Sequence, residues 1–365
     1  MQTNEEFVKR LRKGAYGFVN LVRYTNDDNS SYLAAVKNSY QKDYQSLVRE
    51  IQVLLQLKGC PRIVTCLGDS LQQSFSRFGE IHKLPLEYAS EGSLNAFMNN
   101  YADRKLPEPL IKDLARMILE GLVSIHGHGY VHCDIKPDNV LVFPSSSTSS
   151  SYEVKICDFG NCLEKGEVPL CWEINFPWLG TAIYMSPESV RDGIADMFLD
   201  LWSVGCLVLE MYTGVSPWEG LELDDIATRL LSGQAPEIPE ILPSDAKDFI
   251  QTCFSTEPEE RGSASELLLH PFLPRPQVEG EEEETSNSFL LNLFKLRTRR
   301  RGSEKKVTTD AVSDKKPLKL LRFWKKKATL FKRTLNIVLS ICNSDNHNMR
   351  EKKRLMNSHY IFIFD

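Results

Sequence analysis

The stretch V-H-C-D-I-K-P-D-N-V-L, residues 131–141, is a polar segment bounded by apolar residues. Asp134, Lys136 and Asn139 lie close together in it, so one short loop can direct a carboxylate, an ammonium and an amide into one cleft. This trio suits phosphoryl transfer: the carboxylate orients a hydroxyl nucleophile and accepts its proton, the cation stabilises the migrating phosphoryl group, and the amide oxygen binds a metal ion. Taken alone, the same string also fits a polar turn.

A second motif, D-F-G at residues 158–160, supplies another carboxylate for a metal ion. The two motifs resemble those of eukaryotic protein kinases, because they occur in the order and spacing of that family. The resemblance implies an α+β, two-lobed protein-kinase fold, with a small antiparallel-sheet N-lobe containing one key helix and a larger, mainly helical C-lobe. It also implies ATP and Mg²⁺ as cofactors, Asp134 and Lys136 as catalytic residues, and Asn139 and Asp158 as metal ligands.

The segment L-R-K-G-A-Y-G-F-V, residues 11–19, is typical of two strands around a glycine-containing turn. It departs from the kinase pattern G-x-G-x-x-G-x-V, whose first glycine falls at Arg12. On its own the segment fits an ordinary hairpin. The resemblance instead implies a loop over ATP, with contacts from Leu11, Gly14, Ala15, Tyr16, Gly17 and Val19.

The apolar run L-A-A-V-K, residues 33–37, predicts a strand that ends in a lysine. A lysine at a buried strand end is costly unless an anion meets it, whereas a surface lysine needs no partner. Residues 44–57 have the apolar spacing of a helix that carries Glu50, which is either solvated or paired. The resemblance implies that Lys37 binds nucleotide phosphates and is held by Glu50. It adds Ala35, Glu87 and Ala89 to the ATP site.

Apolar residues predict the other elements. Strands are expected at residues 63–67 and 83–87, and a helix that begins after Ser93 as its N-cap. Longer apolar helices are expected at residues 110–125 and 199–211. The serine run at residues 145–151 favours a flexible turn between two strands, with a phosphorylation cluster as the alternative.

The segment G-T-A-I-Y-M-S-P-E, residues 180–188, resembles the substrate-docking close of serine/threonine kinases. Thr181 and Lys136 both match that class rather than tyrosine kinases, so Ser or Thr hydroxyls are the expected acceptors. Three further residues are expected to support the structure. Asp200 would accept backbone N–H groups of the 131–141 loop. The resemblance to kinases implies that Glu188 pairs with Arg261.

Cys133 stands where most kinases carry the arginine that receives an activating phosphate. Residues 161–180 also contain no Ser, Thr or Tyr. Since receptor and phosphosite are missing together, we expect activity without phosphorylation of this segment. The alternative is a single neutral change at Cys133.

The strings H-C-D-I-K-P, L-P-E-P-L-I and M-S-P-E make the chain similar to plant mitogen-activated protein kinase kinase kinases of the MEKK-like subgroup. This similarity implies that the substrate is another kinase, a mitogen-activated protein kinase kinase, in stress or hormone signalling. The alternative from another class is a pseudokinase or scaffold that binds nucleotide or partner kinases without turnover; Arg12 is its support. A small-molecule phosphotransferase is disfavoured by the peptide-docking character of residues 180–188.

Charge is distributed unevenly along the chain. Residues 274–365 carry 21 Lys and Arg against 11 Asp and Glu, although the whole chain has a net charge of −5. We expect an extension at residues 1–6, a kinase domain at 7–273 with an N-lobe at about 7–89 and a C-lobe at about 90–273, and a tail at 274–365. An acidic body argues against nucleic-acid binding.

The nine cysteines form no C-x-x-C pair, which indicates a reducing compartment rather than a disulfide framework. No secretory leader and no apolar run long enough for a transmembrane segment is evident. We expect a cytoplasmic protein, with the nucleus as the alternative. The basic, amphipathic pattern of the tail fits a regulator such as calmodulin, an anionic membrane surface, a partner kinase or nuclear import, or else a segment without structure until bound.

Overall fold

The computed structural model describes residues 4–14, 17–40, 44–76, 79–145, 151–168 and 180–273. Its N-terminal part is a five-stranded antiparallel sheet in the order β1-β2-β3-β5-β4. The strands are β1 (Asn4–Gly14), β2 (Gly17–Thr25), β3 (Ser31–Tyr40), β4 (Gln72–Ser76) and β5 (Gly79–Glu87). One helix, α1 (Gln45–Gln56), lies between β3 and β4 in the chain. This is the small sheet-rich lobe that the sequence predicts.

The two-residue alternation of β3 explains how the sheet presents a functional side chain. Ala34 and Val36 are buried with Val22 and Tyr24 of the neighbouring strand β2. Because successive side chains of a strand point to opposite faces, Lys37 lies on the other face of β3. The apolar residues therefore anchor the strand, and the lysine is left for the cleft.

The C-terminal part is mainly helical. Its helices are α2 (Leu94–Met98), α3 (Glu108–Gly127), α4 (Pro187–Arg191), α5 (Met197–Thr213), α6 (Leu223–Leu231), α7 (Ser244–Cys253) and α8 (Ala264–Leu267). Two small antiparallel pairs accompany them: β6 (Tyr130–Val131) with β9 (Leu163–Glu164), and β7 (Val140–Pro144) with β8 (Tyr152–Ile156). The two-lobed α+β architecture is thereby confirmed.

The long helix α3 forms because its apolar residues recur at helical spacing. Ile111, Leu114, Ile118, Leu122 and Ile125 are all fully buried. This confirms the helix predicted from periodicity, with two residues more at each end. The helix packs against β6 and β8, the short strands that precede the polar segment and the D-F-G motif.

Ser93 begins α2 as the sequence predicts, since its side chain accepts a hydrogen bond from the N–H of Ala96. The predicted strand at residues 63–67 is wrong. That segment makes only isolated bridges, Ile63 to Ile156 and Cys66 to Leu86, because its backbone hydrogen bonds are divided between two different sheets. The strand β4, by contrast, was not predicted; its residues are mostly polar and exposed.

Several sequence predictions lie outside the described residues: Ala15 and Tyr16, most of the serine run, and the whole tail from residue 274. The described residues belong to one compact unit that ends at Arg275. Within them, no helix has both the length and the apolar character needed to cross a bilayer.

Candidate active site

One buried carboxylate holds the backbone of the polar loop, residues 132–139. Asp200 lies in the first turn of α5 and is fully buried. Its Oδ2 accepts the N–H of His132 and its Oδ1 accepts the N–H of Cys133, both at 2.9 Å. Two backbone donors of the loop are satisfied here by a charged acceptor, and this fixes the shape of the loop.

Three predicted residues of the loop meet one another. The Nδ2 of Asn139 donates to the Asp134 carboxylate at 2.9 Å and to its backbone oxygen at 2.8 Å. The Nζ of Lys136 lies 3.1 Å from Oδ2 of Asp134. Asp134 is 7% exposed, so its carboxylate is oriented by fixed donors rather than by water.

Thr181 joins the 180–188 segment to this loop. Its hydroxyl donates to Oδ1 of Asp134 at 2.7 Å and accepts from Nζ of Lys136 at 2.6 Å. Its backbone N–H donates to the same Asp134 oxygen at 3.0 Å. One threonine therefore sets both the carboxylate and the ammonium of the loop.

Gly180, which sequence reasoning missed, permits this junction. Its φ is +105°, and a Cβ added there would lie 2.1 Å from the carbonyl oxygen of Cys133. Only glycine allows so close an approach of two backbones, and also this φ without strain. The sequence did contain a signal for this glycine, since it directly precedes Thr181 in the G-T-A-I-Y-M-S-P-E segment.

Lys37 connects the sheet with the helical part. Its Nζ is 2.6 Å from Oε2 of Glu50 in α1 and 2.7 Å from Oδ1 of Asp158. Burial alone would lower the pKa of Lys37, but the two carboxylates raise it above its ordinary value. For Asp158 the directions are reversed. Burial alone would raise the pKa of its carboxyl, yet the charge of Lys37 holds this pKa well below its usual range. Both groups are therefore charged.

The position of Asp158 depends on its neighbour. Phe159 is fully buried, with its ring 5.1 Å from that of His132 in an edge-to-face contact. Asp158 itself has a φ of +67°, a conformation that non-glycine residues seldom adopt. Strain of this kind persists where the surroundings impose it, and here it accompanies the contact with Lys37.

The donor set fits a magnesium ion. The amide nitrogen of Asn139 is engaged by Asp134, whereas its Oδ1 is buried and accepts no hydrogen bond within the described chain. Together with the Asp158 carboxylate, this oxygen is a hard ligand. Mg²⁺ is commonly held by one or two such protein oxygens together with substrate phosphates.

The residues predicted to contact ATP occupy the strands around Lys37. Val19 of β2 lies opposite Lys37 in the strand pairing, and Ala35 shares the face of Lys37 on β3. Leu11 falls at a register irregularity of β1 and is 38% exposed. Gly17 lies so close to the backbone of Asn38 that an added Cβ would overlap its carbonyl oxygen, so the sheet itself requires this glycine.

At the end of β5, the side chain of Glu87 is already engaged. Its carboxylate accepts from Nζ of Lys155 at 2.8 and 2.9 Å and from the N–H of Thr65 at 2.6 Å. The N–H of Glu87 also donates to the carbonyl oxygen of Thr65 at 3.0 Å. Neither the carboxylate nor the N–H is therefore open to a nucleotide, and the ATP contact that the resemblance implies would fall to the carbonyl oxygen of Glu87. Ala89, two residues further, is buried.

The departure at Arg12 has a structural counterpart. Its guanidinium lies 3.9 Å from Oδ1 of Asp138 in the polar loop, with half of the arginine side chain exposed. The glycine-loop strand and the polar loop are thereby joined by a charge pair where the family has a glycine.

A buried ion pair supports the 180–188 segment. Both guanidinium Nη atoms of Arg261 donate to the Glu188 carboxylate, at 2.5 and 3.0 Å. Arg261 also donates to the carbonyl oxygens of Ser255 and Phe198. Arg261 is 1% exposed, so this bidentate contact is shielded from water and fixes the end of the segment.

The fold and these contacts define a class of protein. The sequence model of the protein kinase domain matches residues 6–273. The chain belongs to the protein kinase family, whose members use ATP and Mg²⁺ and transfer phosphate to protein substrates.

The relatives give a narrower comparison. Mitogen-activated protein kinase kinase kinases 20 and 18 of Arabidopsis thaliana are each 36% identical to the chain, over 252 and 253 residues that cover 68% and 67% of it and 71% of each relative. Mitogen-activated protein kinase kinase kinase 3 of the same plant is 34% identical over 267 residues, which cover 72% of this chain and 39% of that protein. The chain is thus similar to plant kinases of this level of the cascade.

Proposed function

We propose that the chain is an ATP-dependent serine/threonine protein kinase that phosphorylates a mitogen-activated protein kinase kinase. The observation that carries the proposal is one connected set of contacts. Lys37 meets Glu50 and Asp158, while Asp134 and Lys136 meet Thr181. The names of the relatives support this level of the cascade.

Each residue has a defined task in this proposal. Bound Mg-ATP supplies the phosphoryl group. Lys37 binds its phosphates and is itself held by Glu50, whereas Asn139 and Asp158 hold the metal. Lys136 supports the γ-phosphate, and Asp134 orients the hydroxyl of the substrate and receives its proton. Catalysis then consists mostly of positioning and charge stabilisation.

The choice of Ser or Thr as acceptor rests on Lys136 and Thr181. The Lys136 ammonium touches Thr181 Oγ1, so these two class-typical residues act as a unit beside Asp134. A protein acceptor fits the buried Glu188–Arg261 support of the adjoining segment, because a fixed backbone there can dock a peptide.

The test is phosphate transfer from radiolabelled ATP to a panel of kinase-inactive mitogen-activated protein kinase kinases, followed by mapping of the modified residues. We expect Ser or Thr phosphorylation by the wild-type chain and none by Lys37→Met or Asp134→Asn, both of which should fold. Full activity of either variant would refute the assigned roles. Nucleotide binding without transfer to any protein would instead favour the pseudokinase.

The tail, residues 274–365, is proposed to bind a regulator or an anionic membrane surface, because it is basic. A comparison of the full chain with residues 1–273 in binding to vesicles containing phosphatidylserine tests this. Equal binding by both would refute the membrane role.

A further inference from the structure

The start of residues 161–180 is tied to α1 by one arginine. Arg49 precedes Glu50 on the helix and donates from Nη1 and Nη2 to the two carboxylate oxygens of Glu167, each at 3.1 Å. Its Nη1 also donates to the carbonyl oxygen of Cys162 at 2.9 Å. A guanidinium that meets a carboxylate with two parallel hydrogen bonds forms a strong and directional contact.

Glu167 is itself anchored to the helical part. Its carbonyl accepts the N–H of Ala195 at 2.9 Å, and the N–H of Gly166 donates to the carbonyl of Ala195 at 2.7 Å. Its carboxylate also accepts the N–H of Glu164 at 3.0 Å. The carboxylate therefore stands at a fixed place, and Arg49 has a rigid partner.

Two adjacent residues of α1 are held in different directions. Neighbouring positions on a helix are about 100° apart, since a turn contains 3.6 residues. Glu50 reaches Lys37 on one side, and Arg49 reaches Glu167 on another. A shift of α1 away from the cleft would break both contacts. The Lys37–Glu50 pair is a requirement for phosphoryl transfer in this family of sites.

In many kinases, a phosphate added to this part of the chain orders it by new pairs with arginine. Here residues 161–180 offer no hydroxyl. Cys133, at the usual arginine position, is a buried thiol. Thr181 contacts Asp134 and Lys136, so a phosphate on its hydroxyl would repel the Asp134 carboxylate. The Glu167 carboxylate already provides a negative charge beside Arg49 of α1, as such a phosphate would.

We propose that Glu167 is a positioning residue: through Arg49 it holds α1 where Glu50 meets Lys37, and it thereby keeps the enzyme active with no phosphate on residues 161–180. The inference rests on the proposed function, because it concerns the same site. The hydrogen bonds from Arg49 hold the pKa of Glu167 below its ordinary value, so the carboxylate is charged at neutral pH.

The experiment uses the full chain after phosphatase treatment, with mass spectrometry to establish that no phosphate remains. Glu167→Gln removes the charge and keeps the shape. We expect kcat to fall about tenfold, equivalent to about 1.4 kcal/mol. Asp69→Asn is the matched control, since Asp69 pairs with Lys58 at 3.0 Å on the surface. Its kcat should equal that of the wild type.

Hydrogen exchange separates positioning from loss of fold. In Glu167→Gln, amide exchange should rise in α1 and stay unchanged in α3. The positioning role is overturned if kcat is retained, if exchange in α1 is unchanged, or if exchange rises equally in both helices. It is also overturned if phosphatase treatment alone inactivates the wild type, although the proposed kinase function then stands. Absence of transfer before any treatment would instead refute that function.

Discussion

At the scale of the residue, the candidate site depends on single side chains that serve two partners each. The Lys37 ammonium pairs with two carboxylates, those of Glu50 and Asp158. Thr181 fixes both Asp134 and Lys136 with one hydroxyl. Because every partner is shared, the loss of one group leaves another buried group unpaired, which costs more than the contact itself contributes.

Replacement of Lys37 by Met should make stability depend on pH. Glu50 is fully buried. Burial raises the pKa of its carboxyl above the ordinary 4.5, although the charge of Lys37 acts in the opposite direction. Without the cation the pKa rises further. A carboxyl with a raised folded pKa stabilises the fold below its ordinary pKa, and that stability is lost as pH rises through the raised value.

We therefore expect the melting temperature of Lys37→Met to fall further below that of the wild type at about pH 8 than at about pH 5, with a cost of roughly 3 kcal/mol at the higher pH. Lys37→Arg keeps the positive charge and should show no such pH dependence. An identical deficit at both pH values would show that Glu50 is not the titrating group.

Gly180→Ala should impair catalysis. The added Cβ would displace the backbone from Cys133 and move Thr181 away from Asp134. A misplacement of about 1 Å at a catalytic group can reduce kcat about 100-fold. Gly220→Ala is the matched control, because Gly220 also has a positive φ, +78°, but an added Cβ would meet nothing within 4 Å. Steady-state kinetics of both variants should separate steric displacement from backbone strain; equal losses would contradict this explanation.

At the scale of the element, ion pairs join segments that are far apart in the chain. Glu188 lies in the first turn of α4, and Arg261 ends the turn before α8, so their contact links the end of the 180–188 segment to a turn 73 residues further along the chain. Both side chains are buried, in contrast to the surface pair of Lys247 with Glu240. Burial decides which of the two pairs matters for stability, since exposed pairs are screened by water and salt.

Arg261→Ala should destabilise the protein by about 3 to 5 kcal/mol, because the Glu188 carboxylate is left buried without its partner. Lys247→Ala is the comparison and should cost less than about 1 kcal/mol, as its partner Glu240 is 97% exposed. Urea unfolding measures both. The double variant with Glu188→Ala should cost less than the sum of the single changes. Strict additivity would mean that the two residues do not interact.

At the scale of the whole molecule, the cleft is crossed by more than the Lys37 contacts. Arg12, in the strand before the glycine turn, lies near Asp138 of the polar loop, whereas Lys37 reaches Asp158 deeper in the site. The outer pair is long and half-exposed; the inner pair is short. We therefore assign the relative position of sheet and loop to the inner pair.

Arg12→Gly, which restores the first glycine of the family pattern, should change the KM for ATP by less than about fivefold, because an exposed ion pair contributes at most about 1 kcal/mol. Asp138→Asn removes the same pair from the other side and should have an effect of similar size. A change above about tenfold for Arg12→Gly alone would indicate that the arginine itself contacts the nucleotide.

The local features of this protein can be predicted from its amino-acid sequence. Apolar spacing predicts α1 and α3, which each bury one face, whereas an almost wholly apolar run predicts α5, whose residues 199–211 are all buried. The order of motifs predicts the family and the residues of the site, because each motif is contiguous. The prediction of a strand at residues 63–67 was wrong for the opposite reason. The backbone hydrogen bonds of this segment are divided between partners that lie elsewhere in the chain.

Contacts between groups that are distant in the chain could not be predicted in this way and became visible in the packed fold. Arg49 and Glu167 are 118 residues apart, and each alone looks like an ordinary surface charge in the sequence. Gly180 is required by a carbonyl of Cys133, which lies in another loop. Such contacts arise from the packing of whole elements, and packing depends on all residues at once. A residue type predicts what chemistry is available, and the fold decides where it is used.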